Sequence, residues 1–571
     1  MRARAVVFLV ILATTLPFAG KAFHIDEVYY VEVARNILKD PRRPLAGAVG
    51  LEDIDYRVFE AAGRCPDAFA GMEHPPLVPY VMALAAWAAG RFSEVWLHLA
   101  FVPFALAAGL AILSLARRFT RYPLATTLLL VTSPIFMLSA QSLMTDMPTL
   151  AFSLAALSLL INGVDRDRRW PVVLAGVLAG FAVVTRYAAV MVVPLLLLYG
   201  FSQHRLRKAF LSLCGVVAVF SVWVAQNFAY HGRLHILASI PHYRLFYAGQ
   251  SFDWVGLLKK TLGDLAALGG TSFAAAGLLL LSGARRRWIA FGAASIAAVS
   301  VFWIRPHGIE RLDTYTATEA AAVAACFGLG VILLMEGLWP TRALADGPPQ
   351  PQRRLTDQAF LTIWLLMAVG GAILFLPFAT ARYMLPILPP LFLLLVRRAE
   401  TRWPSARVLR VAGVLAVGQG LLLGTLLSLA DSEYADCYRQ LATSVRANYP
   451  NRTIWFVGEW GFRQYMWAVG GRYLRSSDDT PRPGDIIVRP SIAGMHEMSA
   501  SVRQRAEPLA EIDLSGRWPM RVMSFEAKAG YYSQHWGFLP FAFSRAPLEH
   551  VQLFEVRAPA PVAEPTTCAS S

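Results

Sequence analysis

Apolar runs long enough to cross a bilayer recur along this chain, and most of them end at a short cluster of arginines. The stretch VWLHLAFVPFALAAGLAILSLA, closed by RRFTR at 117–121, shows the pattern. About 20 apolar residues span the hydrocarbon core of a membrane. Inside lipid each backbone N–H and C=O must be satisfied within the protein, so runs of this length fold as helices. Across 571 residues, 56% are hydrophobic and only 16% charged, with a mean hydropathy of +0.46. That balance excludes a soluble globular protein and describes an all-α polytopic membrane protein. The net charge of +15 is gathered between the apolar runs. It is therefore a topology signal and not a nucleic-acid patch. The five cysteines show neither metal nor redox spacing.

Placing the basic clusters in the cytoplasm orders the spans. The first, about 5–20, follows Arg2 and Arg4 and runs outward, although the same start also fits a cleaved signal peptide. An outer loop, 21–93, follows; within it HPPLVPYVMALAAWAAG (74–90) is expected to lie on or dip into the outer leaflet. Spans are expected at about 94–116, 122–143 and 147–163. Within 170–200 two short helices turn outside at Thr185-Arg186-Tyr187. Then come 209–229, an outer loop 230–263, and spans at about 265–283, 288–304 and 317–338. A cytoplasmic linker, 339–357, leads to spans at about 358–378, 384–396 and 407–429. These make about thirteen crossings, with a cytoplasmic N-terminus. The odd count puts the chain after residue 430 outside. Residues 1–430 thus read as one membrane domain and 431–558 as a small extracytoplasmic α/β domain with strand-like TIWFV and DIIV. The tail 559–571 has a disordered composition.

This topology collects chemistry on one face. Asp26 and Glu27 open an amphipathic segment, HIDEVYYVEVARNILKDP, and Asp146 follows the third span in LMTDMP. Glu73 and His74 precede PPL, while Arg186 and Arg382 stand at outer span ends. Ionisable groups at a membrane boundary are functional candidates. Each also has a plainer role: Asp26 and Asp146 as helix caps, Arg382 as an interfacial anchor.

The order DEVYYVEVARNIL, HPPLVPYVMALAAW, SPIFMLSAQSLMTDMP, TRYAAVMVVPLLLLY and ARYMLPILPPL resembles GT-C membrane glycosyltransferases over about residues 5–400. The branch it resembles is the bacterial one akin to protein O-mannosyltransferases and lipid A aminoarabinose transferases. The resemblance implies transfer of a sugar from a polyprenyl-phosphate carrier to a lipid, protein or glycan acceptor at the outer face of the bacterial inner membrane. Asp26 would be the general base of an inverting displacement, with Asp146 as the second acidic position. Glu27, His74, Arg186, Arg382 and Tyr383 would contact substrate, the arginines stabilising the departing lipid phosphate. The family often has lysine at the place of Arg186 and sometimes at that of His74. Members differ in metal dependence; Glu73, His74 and the loop histidines His231, His235 and His242 are the candidates here to bind a divalent metal. No nucleotide cofactor is implied, in keeping with the lack of a phosphate-binding glycine loop. The competing expectation is a transporter or flippase of lipid-linked glycans, which would need charges near the midplane of its spans.

Overall fold

The computed structural model describes residues 1–45, 68–246, 254–272, 275, 285–303, 315–339, 355–402, 405–474, 480–494 and 498–558. The fold is mostly helical with a small C-terminal sheet. Among the described residues six helices are long and apolar enough to cross a membrane: Glu94–Phe119, Asp146–Asp165, Leu206–His231, Ala317–Leu338, Asp357–Phe375 and Arg407–Asn448. The pair Pro123–Val131 and Pro134–Ala140, bent by 63°, meets the same length and hydropathy requirement only when taken together, as a broken span or a re-entrant loop does. Pro134 lacks the N–H that would continue the ladder, and the Ser133 hydroxyl accepts from Phe136 N–H to restart it. Other expected spans are shorter helices, among them Arg2–Thr15, Trp170–Thr185 and Val192–Ser202.

Contacts divide the chain into two units. The first holds residues 1–22, 29–433 and 517–546; the second holds 23–28, 434–516 and 547–571. This division differs from the linear one expected at residue 430. Helix Ala406–Asn448 runs straight through the expected boundary. Residues 517–546 return to the helical unit, and the segment around Asp26 joins the sheet unit. The expected outer loop at 230–263 is also largely helical, as His235–Phe246 and Trp254–Thr271. The helix expected at 265–283 therefore starts eleven residues earlier. Residues 276–284 and the tail 559–571 lie outside the described residues.

In the helical unit small residues let backbones meet. A Cβ on Gly176 would stand 1.9 Å from the Ser212 carbonyl oxygen, and one on Gly269 1.9 Å from that of Cys326. Such contacts bring helices together where lipid gives no hydrophobic drive between them. At the end remote from Asp146, Arg118 donates from Nε to Asp165 at 2.8 Å. Its two terminal nitrogens donate to Asp357 at 2.8 and 3.1 Å. One guanidinium thereby ties together helices 94–119, 146–165 and 357–375, and the last two line the site described below.

The second unit contains a five-stranded sheet. Its strands are β1 (Ile454–Phe456), β2 (Arg472–Tyr473), β3 (Ile486–Pro490), β4 (Ala506–Leu514) and a last strand Glu549–Val556. β1 pairs in parallel with β2 and β3. The last strand runs antiparallel between β3 and β4. Trp455, Val457, Leu474, Ile487 and Val556 form its core. Phe23 is bound into this unit, its N–H donating to the Tyr465 hydroxyl at 2.9 Å.

Candidate active site

Three chain breaks bring the polar groups of the helical unit together. Asp146 is the first residue of helix 146–165, where a carboxylate meets the positive end of the helix dipole. Arg186 ends helix 170–185 by turning extended, at φ −154 and ψ 123. Arg382 and Tyr383 sit in a single 3₁₀ turn, Ala381–Met384, followed by Pro386; the next helix starts at Leu388 with Pro389 and Pro390 in its first turn.

The geometry is tight. Arg186 donates to one Asp146 oxygen at 2.7 Å, and Arg382 lies 3.7 Å from the other. Both guanidiniums also face the Tyr383 ring, with centres 4.9 and 5.3 Å from its centroid. All three charged side chains are nearly buried, at 7–12% exposure. A guanidinium carries five N–H donors in a fixed fork, so the pair with Asp146 uses only part of Arg186's capacity. Burial, with Arg186 next in effect, pushes His74 well below the usual histidine range. It is therefore a neutral imidazole near pH 7. Burial raises the Tyr383 phenol, so that group stays protonated.

The cluster closes one end of a cavity of about 870 Å³. Glu73, His74, Asp146, Arg186 and Tyr383 line its polar end. The rest is mostly apolar, with Leu150, Leu154 and Leu157 from helix 146–165 and Trp364, Met367 and Phe375 from helix 357–375. Leu157 is eleven residues along its helix from Asp146, a length of about 16 Å at 1.5 Å per residue. The chamber thus suits a ligand with an anionic head and a long hydrocarbon tail.

The remaining expected site residues fall elsewhere. Asp26 and Glu27 belong to the second unit. Glu27 is buried and accepts the His24 N–H at 2.9 Å, while its own N–H donates back to His24 at 3.2 Å. It therefore closes the first turn of helix Glu27–Lys39. Asp26 immediately precedes that helix and is half-buried, after Ile25 at φ +47. The left-handed region costs a β-branched residue roughly 1–2 kcal/mol, the kind of strain found where a neighbouring side chain is held in place. Among the described residues no three His, Cys, Asp or Glu side chains gather as a metal group. The side chain of His242 lies outside the description.

Sequence reasoning had His235 only as a metal candidate and missed the buried group that ties it to Tyr187 of the cavity wall. The Trp223 Nε1–H donates to the Tyr187 hydroxyl at 3.0 Å, and that hydroxyl meets His235 Nδ1 at 2.8 Å. Indole nitrogen only donates, so the Tyr187 hydroxyl accepts from Trp223. Phe69 packs edge-on against His235 at 5.1 Å. The box holds Tyr187, next to Arg186, and the short helix that precedes Glu73 and His74. The only hint in the sequence was the polar HGRLH motif. Tyr187→Phe should lower the stability of the fold by about 1 kcal/mol, the scale of one hydrogen bond, and thermal melting of the purified variant checks this.

A family model described as Dolichyl-phosphate-mannose-protein mannosyltransferase matches residues 73–225. This chain is thus similar to that family over the stretch that carries Glu73, His74, Asp146, Arg186 and Tyr187. Among solved structures it is similar to ArnT from Cupriavidus metallidurans bound to undecaprenyl phosphate. The identity there is 14%, with 98% of each chain covered and a TM-score of 0.40. It is also similar to the Archaeoglobus fulgidus oligosaccharyltransferase in its apo form, at 15% identity and a TM-score of 0.47. That match covers 83% of this chain and 64% of the archaeal one. No curated protein matches.

Proposed function

We propose that this protein is a membrane glycosyltransferase that moves a sugar from a polyprenyl-phosphate carrier to an acceptor hydroxyl. The observation that carries the reading is the Arg186–Asp146 pair, joined by Arg382, at the polar end of a mostly apolar chamber that Arg186 and Asp146 line. A lipid phosphate has matching chemistry: an anion for the guanidiniums and a hydrocarbon tail for the walls. The family match over residues 73–225 supports the same donor class.

The chemistry follows from charge. As the anomeric C–O bond breaks, negative charge grows on the phosphate oxygens. Arginines already paired with Asp146 need no reorientation to meet it, and the buried setting strengthens each contact. Asp146 keeps the two guanidiniums side by side against their mutual repulsion. Asp26 takes the proton of the acceptor hydroxyl as that oxygen attacks, inverting the anomeric centre. We place the reaction on the outer face of a bacterial inner membrane, with the N-terminus cytoplasmic and the sheet unit outside. The acceptor is a lipid, a protein or a glycan hydroxyl.

The test presents purified protein in membrane extract with a panel of labelled polyprenyl-phosphate sugars. Transfer of label from one donor, with release of lipid phosphate, is the expected result. Movement of intact donor across a vesicle bilayer without sugar release would overturn the reading in favour of a flippase.

A further inference from the structure

The segment 517–546 lies in the chain between two parts of the sheet unit, yet it belongs to the helical unit. It opens with a small antiparallel pair, Met523–Ser524 against Ala529–Gly530. Phe538, Leu539 and Ala542 pack with Leu262, Ala266, Val323 and Ala324 of the helices. A sharp return at Gly537 (φ +153) lets it fold back: a Cβ there would stand 2.0 Å from the Lys528 carbonyl oxygen. The segment is therefore built into the helical unit.

Its centre grips the turn that bears Arg382. The Tyr531 carbonyl accepts the Ala381 N–H at 2.9 Å and the Thr380 hydroxyl at 2.7 Å. Gln534 answers on the next residue. Its N–H donates to the Ala379 carbonyl at 3.0 Å, and its side-chain oxygen accepts the Ala379 N–H at 3.1 Å. Beside them the Tyr532 hydroxyl meets both oxygens of Asp431 at 2.9 Å, and Lys21 pairs with the same carboxylate. Lys21 and Asp431 are wholly buried. Four hydrogen bonds thus hold residues 379–381, immediately before Arg382.

Tyr531 itself stands out. It is 1% exposed, and its hydroxyl has no hydrogen-bond partner among the described residues. A buried hydroxyl without a partner is uncommon and calls for an explanation. Burial, reinforced by Asp431 and Asp146 and opposed by Arg382, leaves it a protonated phenol. A protonated phenol in that company is a donor suited to an anion.

We propose that residues 531–534 are part of the lipid-phosphate site. Their main chain positions the Arg382 turn, and the Tyr531 hydroxyl donates to the polar head of the bound lipid. This rests on the donor reading above. It gives the C-terminal region a role in the reaction that lies outside the matched stretch 73–225.

The experiment measures binding of undecaprenyl phosphate to the full-length protein, together with its melting temperature. Tyr531→Phe should bind about tenfold more weakly, the scale of a hydrogen bond to a charged group. Its melting temperature should stay the same or rise, because the variant removes a buried hydroxyl that the ligand-free fold leaves unsatisfied. Thr380→Val should weaken binding about threefold and Thr380→Ser should restore it. A Tyr531→Phe variant that binds as wild type overturns the inference alone. Wild type that binds no lipid phosphate overturns both the inference and the donor reading.

Discussion

Asp26→Asn should abolish sugar transfer while leaving the protein folded and able to bind its lipid donor. General-base catalysis by a positioned carboxylate is worth about 10²–10⁴ in rate, and the amide cannot take the acceptor's proton. Asn keeps the size of Asp and is among the favoured residues before a helix, so the start of helix 27–39 survives. The fixed surroundings of Asp26 support the same view. Ile25 holds a left-handed backbone just before it, Glu27 closes the turn just after it, and Phe23 is tied to Tyr465. The assay is transfer of labelled sugar, run beside undecaprenyl phosphate binding and thermal melting on the same preparations. Loss of transfer with binding intact assigns the carboxylate to the acceptor step. Normal transfer would reduce Asp26 to a helix cap and remove the proposed base.

Much of the helical layout could be read from the sequence because lipid imposes a single rule on backbone hydrogen bonds. The helix expected at 317–338 was found at Ala317–Leu338, and the turn expected at Thr185-Arg186-Tyr187 is where helix 170–185 breaks. Failures came where that rule is silent. Helices 235–246 and 254–271 carry histidines, lysines and an aspartate, so hydropathy does not mark them. Lys260 and Asp264 are buried as an i,i+4 pair, which a composition count sees only as polar loop. Nor could linear order show that residues 517–546 return to the helices, since that depends on packing by Phe538 and Leu539. For the site, Asp146, Arg186 and Arg382 are candidates because charge at a span end is costly, and Tyr383 only through the family resemblance. The meeting of both arginines within 4 Å of one carboxylate is a fact of tertiary structure. The Trp223–Tyr187–His235 chain left almost no mark, because buried aromatic residues look like ordinary core.

Arg186 should prove as sensitive, and its variants separate charge from geometry. Arg186→Met should lower transfer by about a hundredfold, the scale of a lost charged hydrogen bond together with a displaced neighbour. It should also destabilise the protein, since removing one partner of a buried ion pair costs about 3–5 kcal/mol. Asp146 would keep only Arg382, at 3.7 Å. Arg186→Lys retains the charge but loses the planar fork, so a smaller loss of about tenfold is expected, mainly in donor KM. A double variant, Asp146→Asn with Arg186→Met, tests whether the pair serves the fold or the reaction. Removing both charges relieves the unpaired carboxylate, so the melting temperature should recover most of what the single variant lost. Transfer should not recover, because the guanidinium that meets the departing phosphate is still missing. If transfer returned with stability, the Arg186–Asp146 pair would be scaffolding, and the phosphate contact would pass to Arg382 alone.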